Sequence, residues 1–387
     1  MTLFDRVINR KSTSSVKWDN LEMVYGEKDL LPMWVADMDF QPPEAVINAL
    51  QHRLAHGIFG YTVIPNSTHE AIQEWEKKRH GWEIEQSWIL YNHGVVPSLS
   101  LAILAFTKPG DNILVQSPVY TPFFTMTENN QRNIINCPLH LENNRFKIDF
   151  QEFEDALKNN VKLFFLCNPH NPGGRVWNRE ELIKIGELCK KYNVIIISDE
   201  IHGDLVAAPH KHIPIASIDE SFLKHVVTCI APTKTFNLAG LQASSMIVPN
   251  KELREKLAKV QEQQGFHTLN SFGIVGMEAA YRYGGEWLDQ LLSYIHENIQ
   301  YVKEVLEQKL PSIKVMVPEG GYLVWLNCRD TGYSDEEIKN RLLEIGRLAL
   351  EPGTKYGLGG QGFVRMNLGC PKEIVQDGVS RLIKALS

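Results

Sequence analysis

Short apolar runs alternate with longer amphipathic stretches over the first two thirds of the chain. Runs at 112–115, 133–137, 161–166, 194–198, 226–230 and 245–248 are rich in Val, Ile, Leu and Phe. They are apolar at successive positions, so both faces of each strand are to be buried. Helical patterns lie between them at 98–106, 150–157 and 179–192. The last is well bounded, with Asn178 placed to cap it and Glu180 and Glu181 in its first turn. Buried strands separated by helices predict an α/β fold with a mostly parallel sheet flanked by helices.

The pattern changes after about residue 250. Residues 251–263 and 287–309 form long, charged, amphipathic stretches, and the second makes a helix of about 34 Å. Strands follow at 313–317, 322–326 and 363–368, with helices at 335–345 and 372–386. This order predicts a smaller α+β C-terminal domain at 286–387, after a large domain at 46–285. Residues 1–45 carry Pro32, Asp37, Asp39, Pro42 and Pro43, and are read as an N-terminal arm that packs on the small domain.

Composition narrows the function classes. Of 387 residues, 43% are hydrophobic and 22% charged, which excludes a disordered chain. A net charge of −6 gives no overall attraction to nucleic acid or to an anionic membrane. The apolar runs are far shorter than the ~20 residues that span a bilayer. Asp5 and Arg6 stand where an export signal needs an apolar run, so a cytoplasmic protein is expected. Six cysteines are scattered with no Cys-x-x-Cys step, which predicts reduced, mostly buried thiols and no zinc site. The histidines are set aside as metal ligands, and the tryptophans are read as core or interface.

Four segments carry chemistry. Ser198-Asp199-Glu200 puts a carboxylate at the end of an apolar strand, where open α/β sheets bind ligands. Alone, Asp199 reads better as the cap of the next turn. Asn168-Pro-His-Asn171-Pro172-Gly173-Gly174 makes a tight polar turn at the same edge. Turn-making accounts for its Pro and Gly residues, less well for its two asparagines. Ala231-Pro232-Thr233-Lys234-Thr235-Phe236-Asn237 sets a lysine just beyond another buried strand, where desolvation would lower its pKa and make it nucleophilic. Most loop lysines are merely exposed. Tyr91-Asn92-His93-Gly94-Val95-Val96 leads into a helix whose first N–H groups suit a phosphate.

Together these segments resemble the fold-type I pyridoxal-phosphate (PLP) enzymes of the class I/II aminotransferase family. Met33-Trp-Val-Ala-Asp-Met-Asp-Phe40, Gly57-Ile-Phe-Gly-Tyr61, Lys234-Thr-Phe-Asn-Leu-Ala-Gly-Leu-Gln242 and Gly362-Phe-Val-Arg-Met-Asn-Leu-Gly369 are similar to one branch, the MalY/PatB-type cystathionine β-lyases. The resemblance implies PLP, which needs a lysine for its aldehyde and an acid against its pyridine nitrogen. By that resemblance Lys234 is the Schiff-base lysine and the group that moves the Cα proton. Asp199 partners the pyridine nitrogen, Asn171 the phenolic oxygen, and Tyr120 stacks on the ring. Val95 and Val96 offer backbone N–H groups to the phosphate, Thr233 a hydroxyl, and Tyr61 reaches the phosphate of a neighbouring subunit. Arg365 holds the substrate carboxylate, positioned by the turn at 359–362.

Two positions depart from the wider aminotransferase pattern. His202 stands where tyrosine is usual, and is counted among the cofactor-binding residues. Gln242 replaces a phosphate-binding arginine. The implied activity is cleavage of L-cystathionine or another cysteine S-conjugate to a thiol, pyruvate and ammonia, by a homodimer with shared active sites. An aminotransferase is the alternative. A PLP-bound regulator acting by protein contact is a third reading, for which 1–45 is too short and Pro-rich to supply a DNA-binding segment.

Overall fold

A seven-stranded sheet runs through the first two thirds of the molecule. The computed structural model describes residues 3–206 and 208–387. The strands are β1 (Ile89–Asn92), β2 (Asn112–Val115), β3 (Asn133–Asn136), β4 (Val161–Cys167), β5 (Ile195–Asp199), β6 (Val226–Ile230) and β7 (Ser244–Ile247), in the spatial order β1-β7-β6-β5-β4-β2-β3. Neighbours from β3 to β6 pair in parallel. β7 is antiparallel to both β6 and β1. The segment from β6 to β7 holds only short helical turns, Pro232–Thr235 and Ala239–Leu241, so the chain turns back without a crossover helix.

Alternation along the strands builds two cores. Leu163, Phe165, Ile197, Val227 and Met246 point to one face and pack with Leu99 and Ile103 of the helix Val95–Phe106 and Leu257 of Lys251–Gln263. Phe164, Leu166, Ile196, Val226 and Ile247 point to the other, against Leu182, Ile185 and Cys189 of Arg179–Lys191. The expected cap forms there as a reciprocal box: Asn178 Oδ1 accepts the Glu181 N–H at 2.8 Å, and Glu181 Oε2 accepts the Asn178 N–H at 2.8 Å. Helices Glu44–His56, Asn66–His80 and Ser271–Tyr283 and strand β1 were not anticipated by the hydrophobic pattern.

A second sheet, in the order β8-β9-β11-β10, is antiparallel throughout, with β8 (Lys314–Met316), β9 (Leu323–Asn327), β10 (Glu351–Pro352) and β11 (Phe363–Asn367). The helix Gly285–Lys309 leads into it, and Asp335–Glu344 and Lys372–Leu386 pack behind it. Residues 31–39 are stitched to this C-terminal part of the chain. Leu31–Pro32 pair in parallel with Leu348–Ala349, the Met33 carbonyl accepts the Asn367 N–H at 2.9 Å, and the Asp39 N–H donates to the Gly369 carbonyl at 2.7 Å. Residues 1 and 2 of the expected arm lie outside the described residues.

Candidate active site

The carboxyl ends of β4, β5 and β6 open into one cavity of about 380 Å³. Its wall is completed by Trp34, Val35 and Ala36, by the start of the helix Val95–Phe106, by Tyr120, by Glu351 and Arg365 from the second sheet, and by Tyr356 from the turn Gly353–Tyr356.

Parallel register places the acid. Cys167 and Asp199 are paired at the ends of β4 and β5, and the Asn168 N–H donates to the Asp199 carbonyl at 3.0 Å. The Asp199 carboxylate, 4% exposed, accepts the Ile201 N–H at 3.2 Å. Burial pushes it up to about 7, outweighing that bond and the attraction of Lys234. Burial likewise raises the Cys167 thiol, which stays protonated and is no nucleophile.

Lys234 sits in the four-residue helix Pro232–Thr235 directly after β6. Its Nζ donates to the Ala36 carbonyl at 2.6 Å. Burial pulls its pKa down to about 8, with Arg365 adding to the fall and Asp37 and Asp199 opposing it. At neutral pH more of it is free amine than for an exposed lysine. His202 lines the cavity with Nδ1 unpartnered, and burial, helped by Lys234 and Arg365, lowers its pKa to about 3. It is a neutral imidazole.

Arg365 comes from the middle of β11 and is 4% exposed. Its NH1 donates to Asn171 Oδ1 at 3.2 Å and its NH2 to the Trp34 carbonyl at 2.8 Å, while Nε has no partner. The guanidinium lies over the Tyr356 ring at 5.3 Å. The turn that supplies Asn171 is held by Gly174 at φ +65°, so close to Pro318 that a Cβ there would meet it at 2.4 Å. Tyr120 is fixed by the Val119 N–H, which donates to the Tyr356 carbonyl at 2.9 Å, and burial pushes its phenol up to about 12.

Val95 and Val96 open a helix whose first N–H groups have no intrahelical acceptor. Pro97 has no N–H, and the Ser98 N–H already bonds the Gly94 carbonyl at 3.2 Å. The donors of this first turn are therefore those of Val95 and Val96.

Lys234, Asp199, Tyr120, Asn171, Val95, Val96, His202 and Arg365 thus meet in one cavity. Thr233 is buried beside it without lining it, and Tyr61 is fully exposed and does not line it. Gln242 is exposed at a left-handed position. Trp34, Glu351 and Tyr356 were missed as site residues. The motif at 33–40 flagged the first, but nothing in the local pattern flagged the other two. The cysteines are free and buried. His52 and His56, set aside as ligands, do stand one turn apart, but both are exposed and Arg53 contacts His56. Among the described residues the one group of three metal-type side chains is His140, Asp149 and Glu152, all exposed and away from the cavity.

The sequence profile of aminotransferase class I and II matches residues 28–382. The chain belongs to that family. It is 49% identical over 385 residues to a Bacillus subtilis protein named cystathionine β-lyase PatB, spanning 99% of this chain and 100% of that one. A PLP-bound putative aminotransferase from Clostridium difficile superposes with a TM-score of 0.98 at 43% identity, covering 99% of both chains. A PLP-bound C–S lyase from Staphylococcus hominis superposes at 0.93 with 31% identity, over 99% of this chain and 97% of that one. The family resemblance and fold class read from the sequence are those of these relatives.

Proposed function

We propose that this family member is a PLP-dependent carbon–sulfur β-lyase. With water, it cleaves L-cystathionine or another cysteine thioether to a thiol, pyruvate and ammonia. The observation that carries the reading is the convergence of a buried acid, a desolvated amine and a half-engaged guanidinium on one cavity, in a chain so similar to a named cystathionine β-lyase.

The cavity suits PLP. Asp199 would hold the pyridine nitrogen, and Asn171 the phenolic oxygen. Tyr120 would lie against the ring. The Val95 and Val96 N–H groups and the Thr233 hydroxyl would take the phosphate, beside the neutral ring of His202. PLP, when bound, supplies an aldehyde for an amino group and a ring that accepts the electron pair released at Cα.

The protein's own groups do the rest. Arg365 keeps free donors at Nε and on both terminal nitrogens, enough for a two-pronged grip on the substrate carboxylate. That grip fixes which Cα bond faces Lys234. Its lowered pKa lets Lys234 take the Cα proton near neutrality. A thiolate is a good leaving group at Cβ, so elimination outruns return of the proton elsewhere.

We also propose a cytoplasmic homodimer, with 46–285 and 286–387 as its large and small domains and 1–45 as the arm. Ile58, Phe59, Tyr61 and Val63 form an exposed apolar segment that a second copy would cover, bringing Tyr61 to the partner's phosphate site. The test of the activity is L-cystathionine without any keto acid. Sustained release of pyruvate and thiol, lost in Lys234→Ala, is expected. Turnover that stalls at one equivalent and resumes with a keto acid would make the protein an aminotransferase.

A further inference from the structure

A buried polar network lies behind the cavity, outside its wall. Its centre is Asp204, whose side chain is 10% exposed, in the turn Gly203–Leu205 that follows His202. Asp204 Oδ1 accepts from Trp75 Nε1 at 2.9 Å and from His80 Nε2 at 2.9 Å, and its Oδ2 accepts from Thr235 Oγ1 at 2.8 Å. The three donors come from two elements, the helix Asn66–His80 and the turn that carries Lys234.

The network reaches the other side of the site as well. The His80 ring meets His212 edge-on at 5.0 Å. His212 Nε2 lies 2.8 Å from Glu200 Oε2, and Glu200 Oε1 accepts from Ser198 Oγ at 2.8 Å and from the Ile215 N–H at 3.2 Å. Glu200 is the neighbour of Asp199, as Thr235 is of Lys234. Glu76 and Tyr281 complete the surroundings of Asp204.

The charges are arranged to survive burial. Burial alone would lower the His80 pKa, but its bond to Asp204 and the nearby carboxylates raise it to about 9. Burial likewise opposes ionisation of Asp204, and the His80, Thr235 and Trp75 contacts outweigh it and hold the pKa below its ordinary value. Glu76, buried beside them, is pushed up to about 8. Such a buried pair adds little net stability over a packed apolar cluster. The pair ties the turn of Asp204 to a neighbouring helix, which points to a positional role.

A four-residue helix cannot hold its own orientation. Side-chain ties hold it from outside: Asn237, just beyond its end, bonds the backbone of Met38 and Phe40, and within it Thr235 bonds Asp204. We infer that Asp204 is a positioning residue. Through Thr235 it locks the turn bearing Lys234 to the turn that follows His202, and through His80 and Trp75 it anchors both to the helix Asn66–His80, so that the amine meets its target at a fixed angle. This inference rests on the reading of Lys234 as the PLP-bonding base.

The test uses the PLP-loaded enzyme and three variants: Asp204→Asn, Thr235→Val and Thr235→Ser. Visible circular dichroism per bound PLP reports how the chain orients the cofactor, independently of turnover. Pyruvate release with L-cystathionine gives kcat and KM. A misplacement of about 1 Å costs roughly 100-fold, so Asp204→Asn should lose about 10- to 100-fold in kcat with KM little changed. Its dichroism should weaken. Thr235→Val should do the same to a smaller degree and add little in the Asp204→Asn background, while Thr235→Ser restores both signals. Full dichroism and full kcat in Thr235→Val would overturn the inference, and that near-isosteric change decides the matter if Asp204→Asn does not fold. Borohydride treatment of the parent protein tests the underlying reading separately: cofactor fixed to a residue other than Lys234 would defeat that reading.

Discussion

Replacing Arg365 with alanine removes a guanidinium that is 4% exposed and already holds the Trp34 carbonyl and Asn171 Oδ1. Two of its five N–H groups are engaged in this way, and three remain, including Nε. A carboxylate bound there gains charge-assisted hydrogen bonds in a site shielded from water. Loss of such a bond costs about 1.5–3 kcal/mol, which is about 10- to over 100-fold in kcat/KM. Arg365→Lys keeps the charge but not the fork, so it should fall between parent and Arg365→Ala. Lysine also cannot satisfy Trp34, Asn171 and a substrate at once in the same plane. The assay is coupled pyruvate release from L-cystathionine over a range of concentrations, with visible absorbance confirming that PLP is still bound. A kcat/KM for Arg365→Ala within twofold of the parent, PLP retained, would refute the assignment of the substrate carboxylate to this residue.

Three other outcomes are expected. In the cofactor-free protein Asp199 has a folded pKa of about 7, above its ordinary 3.8. Its burial cost is therefore absent below about pH 4, grows between 4 and 7, and is fully present above 7, at most about 4 kcal/mol. Asp199→Asn should thus raise the Tm of that form at pH 8 and leave it nearly unchanged at pH 4, as scanning calorimetry would record. Asn178→Ala breaks the reciprocal cap on Arg179–Lys191 and should cost about 1 kcal/mol, or about 1–2 °C in Tm, with kcat unaffected. Mixing inactive Tyr61 and Lys234 variants should restore part of the activity if sites are shared between copies, whereas a fully active monomer in sedimentation would end the dimer proposal.

Much of this architecture was legible because burial on both faces leaves an unmistakable run. Leu163 to Cys167 and Ile195 to Ser198 could be little else but strands of a covered sheet. The residues at their ends then fell together by topology. Where the pattern failed, the physics differs. The helix Asn66–His80 is mostly polar, with Ala71, Ile72 and Trp75 as its buried apolar residues, so its periodicity is faint. Strand β7 looks like its parallel neighbours, and its direction is set by the missing crossover rather than by its own residues. Glu351 and Tyr356 lie in a two-residue strand and a short turn, elements too small to leave any period. The motif at 33–40 marked Trp34 as part of a family pattern. Only the pairing of Leu31 with Leu348 shows why it borders the cavity.

That pairing governs the order in which the site can be completed during synthesis. Trp34 leaves the ribosome early, yet its carbonyl waits for Arg365, 331 residues later. At ~5–20 residues per second the delay is roughly 15 to 65 s. Until then the sheet ends that carry Asp199 and Lys234 face solvent without the wall built by residues 34–36 or the guanidinium that closes them. The cavity is a late product of translation, although its acid and its amine are synthesised more than a hundred residues before Arg365.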